Sequence, residues 1–347
     1  MHPRLRAAAV AIAFIVSGTA AANDAALERV LERWDHDEHA DLRGVLVLRD
    51  GRRVAERYYS GETADTLHDV RSAGKSVTSL LAGIAFDRGA LHALGDPVER
   101  YWPQARGTAI GDVAIEDVLT MRSGLAAVDA DADSPGREDE LDAAADPHAF
   151  ILSLPRAAAP GSVYRYNSVT AAVAGIVVAN ATGRRLDAFA RECLFAPLGI
   201  TRWRWAHDAA GDAKGQGNLS LTLRDFAALG ELVLDGGRAH GRRVVGRDWI
   251  ERALAPHVDL AGIDPYADGY GYFWYSKTYT VDGEAVRVSF ASGNGGNKIY
   301  VVPSRGLVVA ITSSAYGKGY GQRRSQDILL AILAATAPST AAPRARR

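Results

Sequence analysis

Residues 72–87, SAGKSVTSLLAGIAFD, decide how the rest of this chain is interpreted. Apolar residues recur at three- and four-residue spacing from Val77 to Ala85, which predicts a helix over 72–87 that Gly89 ends. Lys75 lies near the start of this apolar helix, in a chain with only five lysines among its 40 basic residues. A rare lysine on a helix of this kind is expected to have a specific partner.

Ser72 is that partner in our interpretation. Residues three apart share one helix face, and helical side chains lean towards the N-terminus, so the Lys75 amine points back at the serine hydroxyl. A serine hydroxyl becomes a nucleophile when a nearby base takes its proton, and a neutral amine can do so. The bland alternative is a helix-capping serine followed by a solvent-facing lysine.

Two other chemistries fit this segment less well. Gly74, Lys75 and Ser76 resemble the end of a phosphate-binding loop, but Asp69 stands where that loop needs its first glycine. No Gly-x-Ser-x-Gly occurs in the chain, which argues against the nucleophile elbow of an α/β-hydrolase.

The segment at 160–168, PGSVYRYNS, is a turn followed by an apolar helix. Tyr166 and Ser168 would project a phenol and a hydroxyl from the loop end of that helix. A phenol near Lys75 would share the proton transfer. Tyr166 alone is also interpretable as a hydrogen-bonded core tyrosine.

A third segment, GNGGN at 293–297, opens a strand. Glycines at a strand start mark close approach of another group to the backbone. The backbone N–H of Asn297 would then pair with that of Ser72 as an oxyanion hole. A plain glycine turn is the alternative.

The remaining pattern predicts an α+β fold. Apolar runs at 44–48 and 54–59 flank Asp50-Gly51, a hairpin signal, and further strands are predicted at 285–290, 298–302 and 307–312. Helical patterns fill about 90–225. Strands from both ends would form one antiparallel sheet flanked by helices, with an inserted helical lobe and one domain over 23–336.

The ends of the chain predict processing. Residues 1–22 have basic Arg4 and Arg6, a short apolar run and a small-residue cleavage pattern, as in a secretory signal peptide. The run is too short to span a membrane, so we expect a periplasmic or secreted protein without stable membrane insertion. Residues 337–347 are interpreted as a disordered tail.

Composition excludes several classes. The chain has 40 basic and 41 acidic residues, so it lacks the basic surplus of nucleic-acid binders. Cys193 is the single cysteine, which excludes an internal disulfide and a cysteine-based metal site. We expect no metal and no cofactor.

An acidic stretch of the sequence has a residue spacing similar to that of a calcium-binding loop. Asp129, Asp131, Asp133 and Glu140 have EF-hand ligand spacing, but Ser134 replaces the required glycine. We interpret the stretch as a solvated acidic loop. The aromatic run at 266–275 is expected to divide between the core and a substrate pocket.

The three motifs in this order resemble the serine β-lactamase/penicillin-binding superfamily, in particular its class C-like esterases, carboxypeptidases and 6-aminohexanoate-dimer hydrolases. Ser72 and Lys75 match Ser-x-x-Lys. Tyr166 begins Tyr-x-Asn, with Ser168 where asparagine is usual. The resemblance extends from about Val45 to Leu333, with flanking matches at 119–125, 194–200 and 270–272.

The resemblance implies a sheet-plus-helical-lobe fold and an acyl-enzyme on Ser72, with Lys75 and Tyr166 as the proton-transfer pair. Substrate binding would involve Ser168 and Asn297, together with Asn294, Gly295 and Gly296, which stand for the third motif. That motif lacks its usual cation, which favours a small ester, amide or peptide-like substrate. The alternatives are a D,D-carboxypeptidase or class C β-lactamase, and a non-catalytic acyl-binding sensor.

Overall fold

The computed structural model of the chain describes residues 25–336. The predicted signal peptide, 1–22, and the predicted tail, 337–347, lie outside the described residues. Among the described residues, no helix has the length and apolar character that crossing a bilayer requires.

Thirteen strands occur in the described range. They are β1 (Leu42–Arg49), β2 (Arg52–Tyr58), β3 (His68–Asp69), β4 (Trp203–Trp205), β5 (Leu219–Leu221), β6 (Arg238–Ala239), β7 (Arg242–Arg243), β8 (Val258–Asp264), β9 (Ala267–Tyr270), β10 (Tyr275–Val281), β11 (Glu284–Gly293), β12 (Asn297–Val302) and β13 (Leu307–Ser313).

Eleven α-helices accompany them between residues 25 and 336. They are α1 (25–32), α2 (Gly74–Asp87), α3 (Val98–Tyr101), α4 (Ile115–Leu119), α5 (Glu138–Ala143), α6 (Pro147–Ser153), α7 (Ser168–Thr182), α8 (Leu186–Ala190), α9 (Leu223–Leu234), α10 (Arg247–Leu254) and α11 (Gly319–Ala335).

Eight strands form one antiparallel sheet in the order β2-β1-β13-β12-β11-β10-β9-β8. β1 pairs with β13, so strands from the two ends of the chain meet as predicted. Asp50 and Gly51 connect β1 to β2 with φ of 50° and 78°, the left-handed values that a tight hairpin turn needs. The predicted α+β fold is confirmed, and β8, β9 and β10 extend the sheet beyond the predicted strands.

Helices cover the sheet. α9 packs on β1, β12 and β13, where Gly230 leaves room for Ile299 and Val308. α11 packs against β10, β12 and β13. Between residues 90 and 225 lie α3 to α8 with the short strands β4 and β5, and α7 packs against α2.

The helix predicted over 72–87 begins two residues later, at Gly74. Arg71–Ala73 forms a short 3-10 turn instead, a common way for an α-helix to start. All residues of α2 from Gly74 to Ala85 are buried, so the helix is held on every side. Gly74 packs tightly against Gly217, and a larger side chain at Gly83 would collide with the ring of Trp249.

Candidate active site

Ser72 lies in the 3-10 turn that precedes α2 and is partly exposed. Arg71, immediately before it, has a φ of 52°, a strained value for a residue with a side chain. Nζ of Lys75, which is 2% exposed, donates a hydrogen bond of 2.9 Å to Ser72 Oγ. A buried amine therefore lies against the hydroxyl of a partly exposed serine.

Lys75 makes two further hydrogen bonds through Nζ. One goes to Ser168 Oγ at 3.1 Å and the other to the backbone oxygen of Gln216 at 2.8 Å. Both acceptors are buried. They fix two N–H directions of the amine and leave its third direction aimed at Ser72.

Tyr166 lies beside Lys75, with Nζ 5.1 Å from the centre of the tyrosine ring. The loop that carries it ends at Asn167, whose Oδ1 accepts from the backbone N–H of Thr170 and so caps α7. Within residues 25–336, the Tyr166 hydroxyl forms no direct hydrogen bond with Ser72 or Lys75. The part of Tyr166 that lies against the Lys75 amine is therefore its ring and not its hydroxyl.

Ser168 connects the amine to an acid. Its hydroxyl donates to Asp129 Oδ2 over 2.9 Å. The carboxyl of Glu138 lies nearby: burial raises its pKa, while Lys75 and the hydroxyl of Ser168 act in the opposite direction. The hydrogen bonds Lys75–Ser168–Asp129 therefore run from an amine through a hydroxyl to a carboxyl group.

This placement corrects the interpretation of residues 129–140 as a solvated acidic loop. Asp131 and Asp133 are exposed, and Glu140 pairs with Arg137. Asp129 and Glu138, however, turn inward onto Ser168. The spacing of acids along the loop gave no sign of this, because it results from how the loop folds onto α7.

The predicted third motif builds the turn between β11 and β12. Oδ1 of Asn294 accepts from the backbone N–H of Gly317, and the side chain of Asn297 bonds the backbone of Asn294 and Ser313. Gly295 and Gly296 have φ of 86° and 92°, which favour glycine. All four residues from Asn294 to Asn297 are therefore explained by turn conformation or side-chain bonds, and Asn297 is also the first residue of β12.

Gly293 is the residue of this region that abuts the 3-10 turn Arg71–Ala73, which carries Ser72. A Cβ at Gly293 would lie 2.0 Å from the backbone oxygen of Val70 and 3.2 Å from the backbone nitrogen of Ala73. Asn297 pairs with Gly293 across the sheet. The role of the Asn297 N–H in an oxyanion hole stays a prediction.

Sequence reasoning missed Ser292 and Lys298, which lie opposite each other on β11 and β12. Nζ of Lys298 donates to Ser292 Oγ over 2.7 Å. Burial lowers the pKa of Lys298 to about 7. Alternation along the strand would have placed Lys298 on one face, but nothing in the sequence showed which polar group it meets.

The aromatic residues of the run at 266–275 do not divide evenly between the core and partly exposed positions. Most of its members are buried core residues: Tyr270, Tyr272, Phe273 and Trp274. Tyr275 is partly exposed at the start of β10 and packs edge-on against Tyr270, with ring centres 4.7 Å apart. Tyr164, two residues before Tyr166, packs on Tyr270 as well, and burial raises the pKa of Tyr164.

One group in the described part of the chain has metal-ligand spacing: potential ligand atoms of His148, Asp208 and Asp212 lie within 4.8 Å of one another. His148 Nε2 pairs with Asp212 at 3.1 Å, and Asp208 accepts from the Asp212 backbone.

Comparison with known proteins agrees with this geometry. The Beta-lactamase family model matches residues 34–333. A 6-aminohexanoate-dimer hydrolase from Paenarthrobacter ureafaciens is 29% identical over 244 residues, which are 67% of this chain and 62% of that protein. The match thus spans less than two thirds of that relative's length.

Solved structures share the fold. A penicillin-binding protein homologue from Caulobacter crescentus superposes with a TM-score of 0.72 at 20% identity, covering 90% of this chain and 97% of that one. A class C β-lactamase from Rhodobacter sphaeroides gives 0.67 at 19% identity, covering 88% and 98%. With the family model spanning most of its length, this chain belongs to the Beta-lactamase family.

Proposed function

We propose that the protein hydrolyses a small-molecule ester or amide through an acyl-enzyme on Ser72, with Lys75 and Tyr166 as the proton-transfer pair. The observation that carries this proposal is the set of three hydrogen bonds made by Lys75 Nζ. In the neutral amine, two N–H groups satisfy Ser168 and Gln216, and the lone pair then faces the hydroxyl of Ser72. That is the arrangement a general base requires.

In the acylation step, Lys75 takes the hydroxyl proton while Ser72 Oγ bonds to the substrate carbonyl carbon. The carbonyl oxygen becomes an oxyanion, for which the backbone N–H groups of Ser72 and Asn297 are the proposed donors. The positive end of α2 adds to this stabilisation. The intermediate collapses when the bond to the leaving group breaks, and the proton passes to the leaving oxygen or nitrogen.

Tyr166 is proposed to relay that proton, because its ring already lies against the Lys75 amine. Water then attacks the acyl carbon, with the same pair accepting its proton, and Ser72 is released with the carboxylic acid product. The contacts of Ser168 and Asp129 hold Lys75 in place during both steps.

Amide cleavage has separate support. The curated relative is named for hydrolysis of the 6-aminohexanoate dimer, and it aligns with two thirds of this chain. The third-motif segment 294–296 contains no cation. Both facts favour ester or amide hydrolysis over dedicated β-lactam hydrolysis.

We also propose that the protein is exported to the periplasm or beyond, on the basis of residues 1–22 alone. Cell fractionation with N-terminal sequencing of the recovered protein tests this. A mature N-terminus near residue 23 in the exported fraction supports the proposal, whereas an intact Met1 in the cytoplasmic fraction contradicts it.

A substrate panel tests the catalytic proposal. Short-chain esters, D-amino-acid amides and a chromogenic cephalosporin are each given to the wild type, Ser72→Ala and Ser79→Ala. Ser79 lies on the same helix, and its buried hydroxyl has no hydrogen-bond partner among the described residues, so its loss is a matched control. We expect turnover of an ester or amide that Ser72→Ala abolishes and Ser79→Ala retains.

Other outcomes decide against the proposal. Undiminished turnover by Ser72→Ala would show that Ser72 is not the nucleophile. Turnover confined to the cephalosporin would favour a β-lactamase. A single burst of product without turnover would favour an acyl-binding sensor.

A further inference from the structure

The residue before Ser72 has a strained backbone. Arg71 has a φ of 52°, in the left-handed region that residues with a side chain adopt infrequently. Its backbone angles set the orientation of the peptide group that joins it to Ser72, and that peptide group contains the N–H of Ser72. Since this N–H is a proposed donor to the oxyanion, the group that holds Arg71 in its conformation also directs the donor.

Asp69 is the group that holds Arg71. Its Oδ1 accepts from the backbone N–H of Arg71 over 2.8 Å. An aspartate that bonds the backbone two residues ahead forms a local turn in place of regular structure. The charges act in the same direction, because Nε of Arg71 lies 3.6 Å from Asp69 Oδ2. One carboxylate therefore contacts both the backbone and the side chain of the strained residue.

Two distant segments hold Asp69 and Arg71 in place. Nδ2 of Asn218, 149 positions later than Asp69, donates to Asp69 Oδ2 over 3.2 Å. The hydroxyl of Tyr316, 247 positions later, donates to the backbone oxygen of Asp69 over 2.9 Å. The guanidinium carbon of Arg71 lies 4.2 Å from the centre of the Tyr316 ring. The conformation before Ser72 is therefore fixed by contacts between three segments of the chain.

Asp69 takes no part in the proposed proton transfer. Nζ of Lys75 donates to Ser72, to Ser168 and to the backbone of Gln216, and these contacts do not involve Asp69. The carboxylate of Asp69 acts on the backbone that carries the oxyanion donor instead. Its loss should therefore affect the transition state more than the binding of substrate.

We propose that Asp69 is a positioning residue for catalysis: its bond to the Arg71 N–H holds the peptide group that presents the Ser72 N–H to the oxyanion. This inference rests on the proposed acyl-enzyme at Ser72 and on the oxyanion role proposed for its N–H.

The test compares an ester with its thiono analogue. In para-nitrophenyl butyrate the carbonyl oxygen becomes the oxyanion. In O-para-nitrophenyl thionobutyrate a sulfur atom takes its place and accepts hydrogen bonds from N–H groups more weakly. The ratio of kcat/KM for the ester to that for the thionoester therefore reports how well the donors are directed at the oxyanion.

We expect Asp69→Ala to lower kcat for the ester roughly 10- to 100-fold with little change in KM, and to lower the ester-to-thionoester ratio roughly fivefold or more. Asp69→Asn keeps an oxygen acceptor for the Arg71 N–H and should keep most of kcat and of the ratio. Tyr316→Phe keeps the ring beside Arg71 and removes the bond to the Asp69 oxygen, so both quantities should fall by a smaller factor. Asp65→Ala is the control, because it removes an exposed acid four residues earlier whose partner is Arg202. Its kinetics should match the wild type.

Wild-type kcat in Asp69→Ala would overturn the proposal. An equal fall in kcat/KM for both substrates would do the same, because a residue that only stabilises the fold gives that result, and so would an asparagine variant as impaired as the alanine variant. Should Asp69→Ala fail to fold, Tyr316→Phe decides: a lower ratio supports the proposal and an unchanged ratio contradicts it. Failure of the proposed function looks different, since Ser72→Ala would then hydrolyse both substrates as fast as the wild type.

Discussion

Lys75 and Ser168 stand 93 positions apart in the sequence, yet Lys75 Nζ donates to Ser168 Oγ over 3.1 Å. The contact forms because α2 packs against α7, and each residue lies in the first turn of its helix. Ser168 occupies the position where the superfamily motif usually has asparagine. The Ser168 oxygen accepts a hydrogen bond from the Lys75 amine, and the Ser168 O–H donates a hydrogen bond to Asp129.

Ser168→Ala should lower kcat roughly 10- to 100-fold with little change in KM, because it removes one of the two acceptors that aim the Lys75 amine. Ser168→Asn offers a carbonyl oxygen at the same place and should restore part of the loss. Steady-state kinetics on the ester found in the panel, with thermal melts of each variant, checks this. Equal kcat in the alanine variant and the wild type would show that Ser168 does not position the base.

Tyr166→Phe keeps the ring and removes the hydroxyl, so it distinguishes the contributions of the two groups. The ring contact with Lys75 at 5.1 Å survives the change, so the melting temperature should stay the same. If the phenol relays the proton, kcat should fall about 100-fold or more. A fully active phenylalanine variant would assign Tyr166 a packing role only.

Gly293→Ala tests the approach of β11 to the turn that carries Ser72. The added Cβ would lie 2.0 Å from the Val70 oxygen, so strand and turn must separate. We expect a loss of about 1–3 kcal/mol in the free energy of unfolding and a fall in kcat of the folded enzyme. Gly95→Ala, with nothing within 4 Å of its Cβ, is the control. Urea unfolding and titration of active sites separate the two effects.

The pH dependence of stability tests the burial of Lys298. Its pKa is lowered to about 7 in the folded state. Between about pH 7 and the higher pKa of an unfolded lysine, the unfolded chain binds more protons, so the stability of the wild type rises with pH there. Relative to Lys298→Met, the wild type should gain melting temperature from about pH 7 to about pH 9.

The titratable groups around Lys298 are the same in the wild type and in Lys298→Met, so their contributions to the pH dependence of stability cancel when the two are compared. Those around Lys298 and its neighbour Tyr300 are Asp264, Tyr266, Tyr279 and Asp327. Parallel curves for the wild type and Lys298→Met would show that Lys298 keeps an ordinary affinity for its proton.

Local spacing was enough to predict part of the site. Ser72 and Lys75 are one helical turn apart, so their contact follows from helix geometry once a helix is predicted there. The hairpin at Asp50 and Gly51 and the C-terminal strands also follow from short patterns. These are features in which neighbours in the sequence determine the structure.

What the sequence did not reveal depends on contacts between distant segments. Asp129 and Glu138 face Ser168 because of a loop conformation that acid spacing does not encode. Ser292 meets Lys298 through sheet register, which is set by the turn between them. β8 and β9 contain exposed and glycine positions without clear alternation, so no strand was predicted there.

The most direct measurement is the intact mass of the enzyme quenched in acid during turnover, followed by peptic mapping. We expect a fraction of the wild type to carry one acyl group on the peptide that contains Ser72, and no such adduct in Ser72→Ala. An adduct on a different residue, or steady hydrolysis with no adduct and full activity in Ser72→Ala, would contradict the acyl-enzyme.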